Sequence, residues 1–269
     1  PPGATASTLI GRSQEASRTP AWQRQLSAAI RDPFELCRRL GLGESWLAGA
    51  MAGHALFQVC VPEAFLARIE AGNPDDPLLR QVLPLSQETH SVTGFVDDPL
   101  QEVSTQTTRG LIHKYPGRVL LIASPTCAIN CRYCFRRHFP YADNAPSRRQ
   151  WEGVLDHIAQ DPSISEVILS GGDPLASSDQ RLGWLVDRLD QIPHLKRLRV
   201  HTRLPVVIPD RVDDALLDWF GNTRLQRVCV LHVNHAQEVD AEVEAACQRL
   251  SRQGIQLLNQ SVLLGGVND

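Results

Sequence analysis

The chain has 269 residues, of which 42% are hydrophobic, enough to fill the core of one large domain with a smaller extension. Lys and Arg total 27 against 30 Asp and Glu, and the resulting formal charge of -3 offers no basic surface for nucleic acid or an anionic membrane. No apolar run approaches the roughly 20 residues of a transmembrane helix, and the first residues lack the layout of a signal peptide. We therefore expect a cytoplasmic protein that acts on a small molecule.

The N-terminal part of the chain predicts a tail followed by small helices. Residues 1–20 are rich in Ala, Ser, Thr, Pro and Gly without periodicity, which is typical of a mobile tail. A first helix is predicted by four apolar residues at helical spacing, Trp22, Leu26, Ala29 and Ile30. The run after Asp32 predicts a second helix that stops at Gly41. We expect residues 21–110 to form a helical extension with connecting loops.

From residue 111 onward, short apolar runs alternate with amphipathic helical patterns. The runs are typical of buried parallel strands and cover residues 118–123, 166–169, 198–202, 228–233 and 255–258. The helical patterns lie around residues 151–158, 182–189 and 243–250. After the first strand, strands begin about every 30 residues, the length of a βα unit, which favours a parallel barrel or a doubly wound sheet. A closed barrel needs more than these five strands, so we expect a barrel that is truncated after the fifth.

Three of the seven cysteines crowd into the loop after the first predicted strand. Cys127, Cys131 and Cys134 have the spacing C-x3-C-x2-C, which can ligate three irons of a 4Fe-4S cube and leave the fourth iron open. A catalytic site needs an open metal position, and a barrel builds its active site at this end of its strands. Two other interpretations stay open, a structural zinc site with His138 as fourth ligand and an electron-transfer cluster. The remaining cysteines are expected in the core, and they are Cys37, Cys60, Cys229 and Cys247.

A glycine turn follows the second predicted strand, in the segment SGGDPL at residues 170–175. Gly171 and Gly172 allow the backbone to approach a ligand closely, and the carboxylate of Asp173 can accept hydrogen bonds from an ammonium group. Taken alone, this turn is also compatible with a purely structural role. In a barrel it would lie beside the cysteine loop.

The cysteine loop after a strand resembles the radical S-adenosylmethionine (SAM) superfamily, and nearly all of residues 22–269 resemble lysine 2,3-aminomutases. The matching segments are HKYPGRVLLI, CRYCFRRHFPY, SGGDPL, HTRLPVVIP, HVNHAQEV and LNQSVLLGGVND. The resemblance implies an α/β fold with a partial (β/α)6-type radical SAM barrel in residues 111–269. The segments DPFELCRRLGL and GNPDDPLLRQVL are most similar to the bacterial branch that makes (R)-β-lysine for modifying translation elongation factor P.

The resemblance also implies cofactors and the residues that hold them. The three cysteines of the loop would hold the 4Fe-4S cluster, whose open iron binds SAM and cleaves it to a 5′-deoxyadenosyl radical. The residues implied for SAM are Ser170, Gly171, Gly172, Asp173, His232 and Gln260. Arg136 would bind the carboxylate of the substrate, L-lysine, through its planar guanidinium. The segment that holds the phosphate of pyridoxal 5′-phosphate (PLP) is matched by Lys114, Tyr115 and Arg118.

The resemblance leaves other roles unassigned in this chain. It places the lysine that links to PLP, and the acidic residues that grip the substrate ε-ammonium, in a segment that would follow residue 269. The chain has two lysines. Lys114 lies in the phosphate segment and Lys196 precedes the third predicted strand, so the Schiff-base lysine is assigned to no residue here. An electron donor such as flavodoxin or ferredoxin is implied, and a homo-oligomer is left open. Two rival functions also stay open, another radical SAM aminomutase, for example one acting on glutamate, and a non-enzymatic iron-sulfur or zinc binding module.

Overall fold

A computed structural model describes residues 19–102, 106–139 and 147–269 of the chain. The predicted mobile tail lies outside the described residues except for Thr19 and Pro20. Within the described ranges, the N-terminal region is helical and the remainder alternates strands with helices, as the sequence predicts. No helix in these ranges is long and apolar enough to cross a membrane.

The helices and strands follow in chain order. The N-terminal region contains α1 (Ala21–Ser27), α2 (Pro33–Arg39), α3 (Glu44–Leu56), α4 (Glu63–Leu66) and α5 (Leu79–Val82). The strands are β1 (Gln106–Thr108), β2 (Leu111–Tyr115), β3 (Arg118–Ser124), β4 (Glu166–Gly171), β5 (Arg197–Thr202), β6 (Gln226–Leu231) and β7 (Gln256–Asn259). Between the parallel strands lie α6 (Arg148–Gln160), α7 (Asp179–Asp190), α8 (Leu204–Val207), α9 (Asp214–Gly221) and α10 (Ala241–Arg252).

The second predicted helix, α2, has its ends set by local sequence. The side chain of Asp32 accepts a hydrogen bond from the backbone N–H of Phe34 at 3.0 Å. Pro33 occupies the first turn, where its missing N–H leaves no helical bond unmade. Gly41 follows the helix with a φ of 65°, a conformation that glycine adopts without strain and that stops the helix where the sequence predicts.

The first predicted helix was too long. Trp22 is buried in α1, but the helix ends at Ser27, so the apolar residues Ala29 and Ile30 lie beyond it. Ile30 instead pairs with Val61 in an isolated β-bridge. Ala29 and Ile30 are both buried, and this burial, rather than a place on a helix face, explains why they are apolar.

The seven strands form one sheet in the order β1-β2-β3-β4-β5-β6-β7, and every pair from β3 to β7 is parallel. Each strand therefore lies beside the next one in the chain, whereas a doubly wound sheet reverses its strand order part-way. This progressive winding is that of a β/α barrel and confirms the predicted fold class. All five predicted strands are present, although the fourth was placed two residues late because His232 and Val233 follow β6.

The sequence analysis missed the antiparallel strands β1 and β2. Tyr115 of β2 lies opposite Arg118 of β3, and Pro116 and Gly117 form the two-residue turn between them. Gly117 has a φ of 77°, which a Pro-Gly turn requires at its second central position. The segment was interpreted only as a candidate phosphate site, although Pro-Gly between two apolar runs is itself a hairpin signal.

One hydrophobic core connects the N-terminal helices to the barrel. The predicted apolar face of α6 is buried against it, through Trp151, Val154, Leu155 and Ile158. The predicted faces of α7 and α10 are buried in the same way. Of the four cysteines expected in the core, three are buried and Cys247 packs partly buried against it, which confirms the expectation.

Candidate functional site

The cysteine loop begins where β3 ends at Ser124, at the C-terminal end of the parallel strands. Cys127, Cys131 and Cys134 all line one cavity there. A barrel presents successive loops at the same end of its strands, so the loops after β4, β5, β6 and β7 reach this cavity too. The ends of these strands and the loops after them contribute Ser170, Gly171, Gly172, Asp173, His201, Thr202, Arg203, His232 and Gln260. The structure thus brings the three cysteines together with every residue predicted for SAM, and Arg136 lines the same cavity.

The N-terminal extension holds the cysteine loop in place. The backbone N–H of Asn130 donates to the carbonyl of Cys60 at 3.1 Å, and its side-chain amide donates to the carbonyl of Gln58 at 2.7 Å. The backbone N–H of Arg132 donates to the carbonyl of Gln81 at 2.9 Å. Sequence reasoning missed these anchors because they join segments more than 50 residues apart and use backbone atoms that carry no sequence signal.

The two glycines of SGGDPL bring the β4 loop into backbone contact with the cysteine loop. Gly171 has a φ of 123°, and a Cβ on it would lie 2.5 Å from the carbonyl oxygen of Ser124. A Cβ on Gly172 would lie 2.7 Å from the carbonyl oxygen of Thr126. The N–H of Gly172 donates to that Ser124 oxygen at 2.8 Å. The sequence predicted that these glycines let the backbone approach a ligand. In the structure, the group that they approach is the backbone of Ser124 and Thr126, where the cysteine loop begins.

Asp173 is buried, and its carboxylate accepts four different donors of the protein. They are the hydroxyl of Thr202 and the backbone N–H groups of Leu175, Arg203 and Leu204, with donor-acceptor distances of 2.7 to 3.0 Å. A carboxylate offers about four lone-pair positions, so these contacts account for its accepting capacity. Asp173 thus joins the β4 loop to the end of β5 by hydrogen bonds. Its contact with the SAM ammonium stays a prediction.

Two histidine rings, His201 of β5 and His232 after β6, meet in the cavity wall in an edge-to-face contact with centroids 6.1 Å apart. The pKa of each ring is lowered to about 4, chiefly by burial, and for His201 the neighbouring ring of His232 contributes to the lowering. Both rings are therefore neutral at pH 7. Their Nε2 atoms are buried and have no hydrogen-bond partner among the described residues. His201 was not predicted, since its run LRVHT was taken only as a strand.

Arg136 is held by a carboxylate that the sequence analysis did not single out. Its Nε and Nη2 donate to the two oxygens of Glu102, each at 2.7 Å, and its Nη1 donates to the hydroxyl of Ser170 at 2.9 Å. The side chains of Arg136 and Glu102 are only 10% and 9% exposed. This two-point contact is the geometry with which an arginine recognises a carboxylate.

Arg203, directly after β5, is a buried cation in the cavity wall. Its Nη1 donates to the Sγ of Cys131 and to the hydroxyl of Tyr133, each at 2.8 Å. Its Nη2 donates to Glu238 at 2.8 Å and to the side-chain oxygen of Gln81 at 2.7 Å. Although burial alone would raise the pKa of Glu238, the Arg203 guanidinium holds it below its ordinary value. Sequence reasoning missed this network, because its polar members look like surface residues.

Comparison with known proteins identifies this arrangement. Residues 121–269 match the radical SAM superfamily. The chain is 50% identical to the L-lysine 2,3-aminomutase of Escherichia coli (strain K12) over 250 residues, which cover 92% of this chain and 72% of that protein. It is 48% identical to the enzyme of the same name from Haemophilus influenzae, over 92% of this chain and 73% of that protein. The chain belongs to the radical SAM lysine 2,3-aminomutase family.

Membership in the radical SAM lysine 2,3-aminomutase family makes the chain an isomerase-class enzyme and implies three cofactors, a 4Fe-4S cluster, SAM and PLP. The residues present fit the first two. Three thiols from one short loop line one cavity, as a cube ligated at three corners requires. Beside them, two neutral imidazoles with unpartnered Nε2 atoms are suited to hydrogen bonding with a polar ligand such as SAM.

The residues predicted for the PLP phosphate lie elsewhere. Tyr115 and Arg118 flank the β2–β3 turn, at the opposite end of β3 from the cysteine loop. A strand of seven residues spans about 20 Å. The ammonium of Lys114 donates to the carbonyl of Leu100 at 2.7 Å, and Lys196 precedes the start of β5. Both lysines of the chain are described, and neither lines the cavity, so the described cavity residues do not fit PLP.

The predicted zinc alternative also required His138 beside the cysteines. The ring of His138 lies instead 3.6 Å from the carboxylate of Asp97, and it is not among the cavity residues. In residues 19–102, 106–139 and 147–269, no group of three His, Cys, Asp or Glu is arranged to share one metal ion. The structure therefore does not bring the proposed fourth zinc ligand to the thiols.

Proposed function

We propose that the protein is an L-lysine 2,3-aminomutase that converts (S)-α-lysine to (R)-β-lysine with a 5′-deoxyadenosyl radical. The observation that carries the proposal is the single cavity that joins the three loop cysteines to Arg136. Relatives 50% and 48% identical that are named L-lysine 2,3-aminomutase support the choice of substrate. In this proposal residues 111–269 are the catalytic barrel and residues 21–110 support it.

Three sets of cavity residues have roles in this proposal. Cys127, Cys131 and Cys134 hold the cluster, which when bound supplies the electron that cleaves SAM. His201 and His232 donate hydrogen bonds as neutral rings, because burial keeps them unprotonated at pH 7. The apolar surroundings of the loop, from Ala128 and Ile129, limit the access of water to a reactive radical.

Arg136 is proposed to bind the substrate carboxylate. Its guanidinium is fixed by Glu102 and Ser170, so its position is set before any substrate arrives. A fixed guanidinium loses little rotamer freedom on binding, which favours affinity. PLP is included in the proposal because the family uses it, although the described cavity residues do not fit it.

The product and the cellular role are finer proposals. The likeness of DPFELCRRLGL and GNPDDPLLRQVL to the bacterial elongation factor P branch supports a role in supplying β-lysine for that modification. The reducing conditions that a three-cysteine cluster loop requires support a cytoplasmic location with a flavodoxin or ferredoxin as reductant.

The test is a product assay under strictly anaerobic conditions. The reconstituted enzyme, with SAM, PLP and a reductant, is incubated with L-lysine or with L-glutamate, and the products are separated by mass spectrometry. We expect β-lysine from lysine, and none from a Cys127→Ala control. Conversion of glutamate alone would replace the proposal with a glutamate aminomutase, and an iron-free protein that is inactive on both would support the non-enzymatic alternative.

A further inference from the structure

We propose that Arg203 is a positioning residue that sets the reduction potential of the iron-sulfur cluster, by holding a fixed positive charge and an N–H donor against the Cys131 sulfur. The inference rests on the proposed function, because it requires the cluster at the three loop cysteines. It assigns a role to a residue that touches neither SAM nor substrate in the proposed mechanism.

The guanidinium of Arg203 contacts the sulfur of Cys131 directly. The Nη1 of Arg203 lies 2.8 Å from the Sγ of Cys131 and 2.8 Å from the hydroxyl of Tyr133. Arg203 comes from the end of β5 and Cys131 from the loop after β3, so the barrel fold creates this contact. Only 6% of Arg203 is exposed, and water therefore screens its charge weakly.

The guanidinium of Arg203 is held in place at its other nitrogen. Its Nη2 is bound by Glu238, which is fully buried, at 2.8 Å and by Gln81 at 2.7 Å. Glu238 is itself fixed, because it accepts the backbone N–H of Asn234 at 2.9 Å. Asn234 also donates to the Tyr133 hydroxyl, so both ends of the guanidinium share one network.

A hydrogen-bond donor at a ligand sulfur changes the reduction potential of an iron-sulfur cluster. Reduction adds one negative charge, which spreads over the iron and the ligating sulfurs. A cation or an N–H donor at a ligand sulfur therefore stabilises the reduced state more than the oxidised one, and raises the reduction potential. Glu238 opposes this effect, because its negative charge stabilises the oxidised state and partly cancels the field of Arg203.

The competing explanation is that Arg203 and Glu238 form only a structural ion pair. The two explanations predict different reduction potentials for two variants. A structural ion pair predicts no opposite shifts, whereas the proposal predicts a rise in one variant and a fall in the other. Glu238→Gln removes the opposing negative charge and should raise the potential. Arg203→Met combined with Glu238→Gln removes the donor and the cation without leaving a buried unpaired charge, and should lower the potential.

The experiment is a redox titration of the anaerobically reconstituted full chain, followed by electron paramagnetic resonance, with iron and sulfide content measured for every sample. At a fixed solution potential, we expect the ratio of reduced to oxidised cluster to fall about tenfold in the double variant, a shift of 59 mV for one electron. We expect the same ratio to rise in Glu238→Gln. The control removes a different ion pair, Arg199→Met with Glu166→Gln, and should leave the ratio unchanged. The side chain of Arg199 in β5 is 22% exposed, and Glu166 begins β4 at the end far from the cysteine loop.

The outcomes are separable. Unchanged ratios in both variants, or shifts in the same direction, overturn the inference. If the double variant loses its cluster, Glu238→Gln alone decides, and the absence of an upward shift overturns the inference. A wild-type protein without a reducible cluster would instead contradict the proposed function. A wild-type cluster that responds to SAM, with variants that do not shift, would contradict only the role of Arg203.

Discussion

The two ends of the parallel strands use similar residues in different ways. At the C-terminal end, Arg203 is buried and the side chain of Arg136 is only 10% exposed, and each is paired with a carboxylate. At the N-terminal end, Tyr115 is exposed, and Lys114 and Arg118 lie over its ring beside the β2–β3 turn. A buried, paired charge has one defined position and can therefore act on a ligand or a cluster. Exposed charges are screened and contribute little to stability. The comparison shows that burial and pairing, rather than residue type, separate the site from the surface.

Among variants that test the difference between the two strand ends, the largest effect is expected for the cluster cysteines. Cys127→Ala should reduce the iron bound after anaerobic reconstitution to background, because a cube cannot be held by two thiolates of this loop. The matched control is Cys247→Ala on α10, which is partly buried away from the cavity and should keep its iron. Equal iron content in the two variants would contradict the assignment of the cluster.

The backbone contact between the two loops should give the next largest effect. Gly171→Ala places a Cβ 2.5 Å from the Ser124 carbonyl in a left-handed conformation, and should lower the free energy of unfolding by about 3 kcal/mol or more. Gly153→Ala in α6, where a Cβ would meet no atom within 4 Å, should instead raise it by about 0.5 to 1 kcal/mol. Urea unfolding measures both. A Gly171→Ala protein as stable as the wild type would show that the contact is not tight.

The sequence predicted the parts of the structure that are set by local pattern. The strands of the barrel were found because each is a short apolar run, and α2 because Asp32, Pro33 and Gly41 mark its ends. The antiparallel strands β1 and β2 were missed because the half-polar run of β2 gives a weak strand signal, although Pro-Gly between β2 and β3 is itself a hairpin signal.

The parts of the site that lie in short, continuous motifs were predictable from the sequence. The cysteines and SGGDPL were recognisable, but Glu102 and Glu238 were not. These carboxylates pair with Arg136 and Arg203 across 34 and 35 residues. Such pairs exist only after the barrel has formed, and in sequence each acid looks like an ordinary surface residue.

A smaller effect is expected for the buried histidines, through pH. Since burial lowers the pKa of His201 and His232 to about 4, the unfolded chain binds more protons than the folded one between pH 4 and about 6.5. Stability should therefore rise with pH across this window and be constant above it as far as these rings are concerned. Acidification from pH 7 to pH 5 should cost about 2 kcal/mol for each ring.

The measurement is the urea midpoint of unfolding at both pH values. His201→Asn should lose about half of the acid-induced change that the two rings cause. An unchanged pH dependence in His201→Asn would show that this ring is protonated as easily in the folded chain as in the unfolded one.

The smallest effect is expected at the hairpin. Lys114→Ala and Arg118→Ala should each change the free energy of unfolding by less than about 0.5 kcal/mol, because exposed charges are screened by solvent. Iron content and the response of the reduced cluster to SAM should be unchanged. Loss of the SAM response in either variant would break the comparison between the two ends of the strands, since it would make the hairpin part of the same site.

The backbone anchors of the cysteine loop have a consequence for biosynthesis. Gln58, Cys60 and Gln81 supply the carbonyl groups that hold Asn130 and Arg132, and all three precede the loop in the chain. Because a ribosome makes the N-terminal side first, these acceptors leave the exit tunnel before the thiols do. The anchors are therefore already outside the ribosome when the loop that carries Cys127, Cys131 and Cys134 emerges.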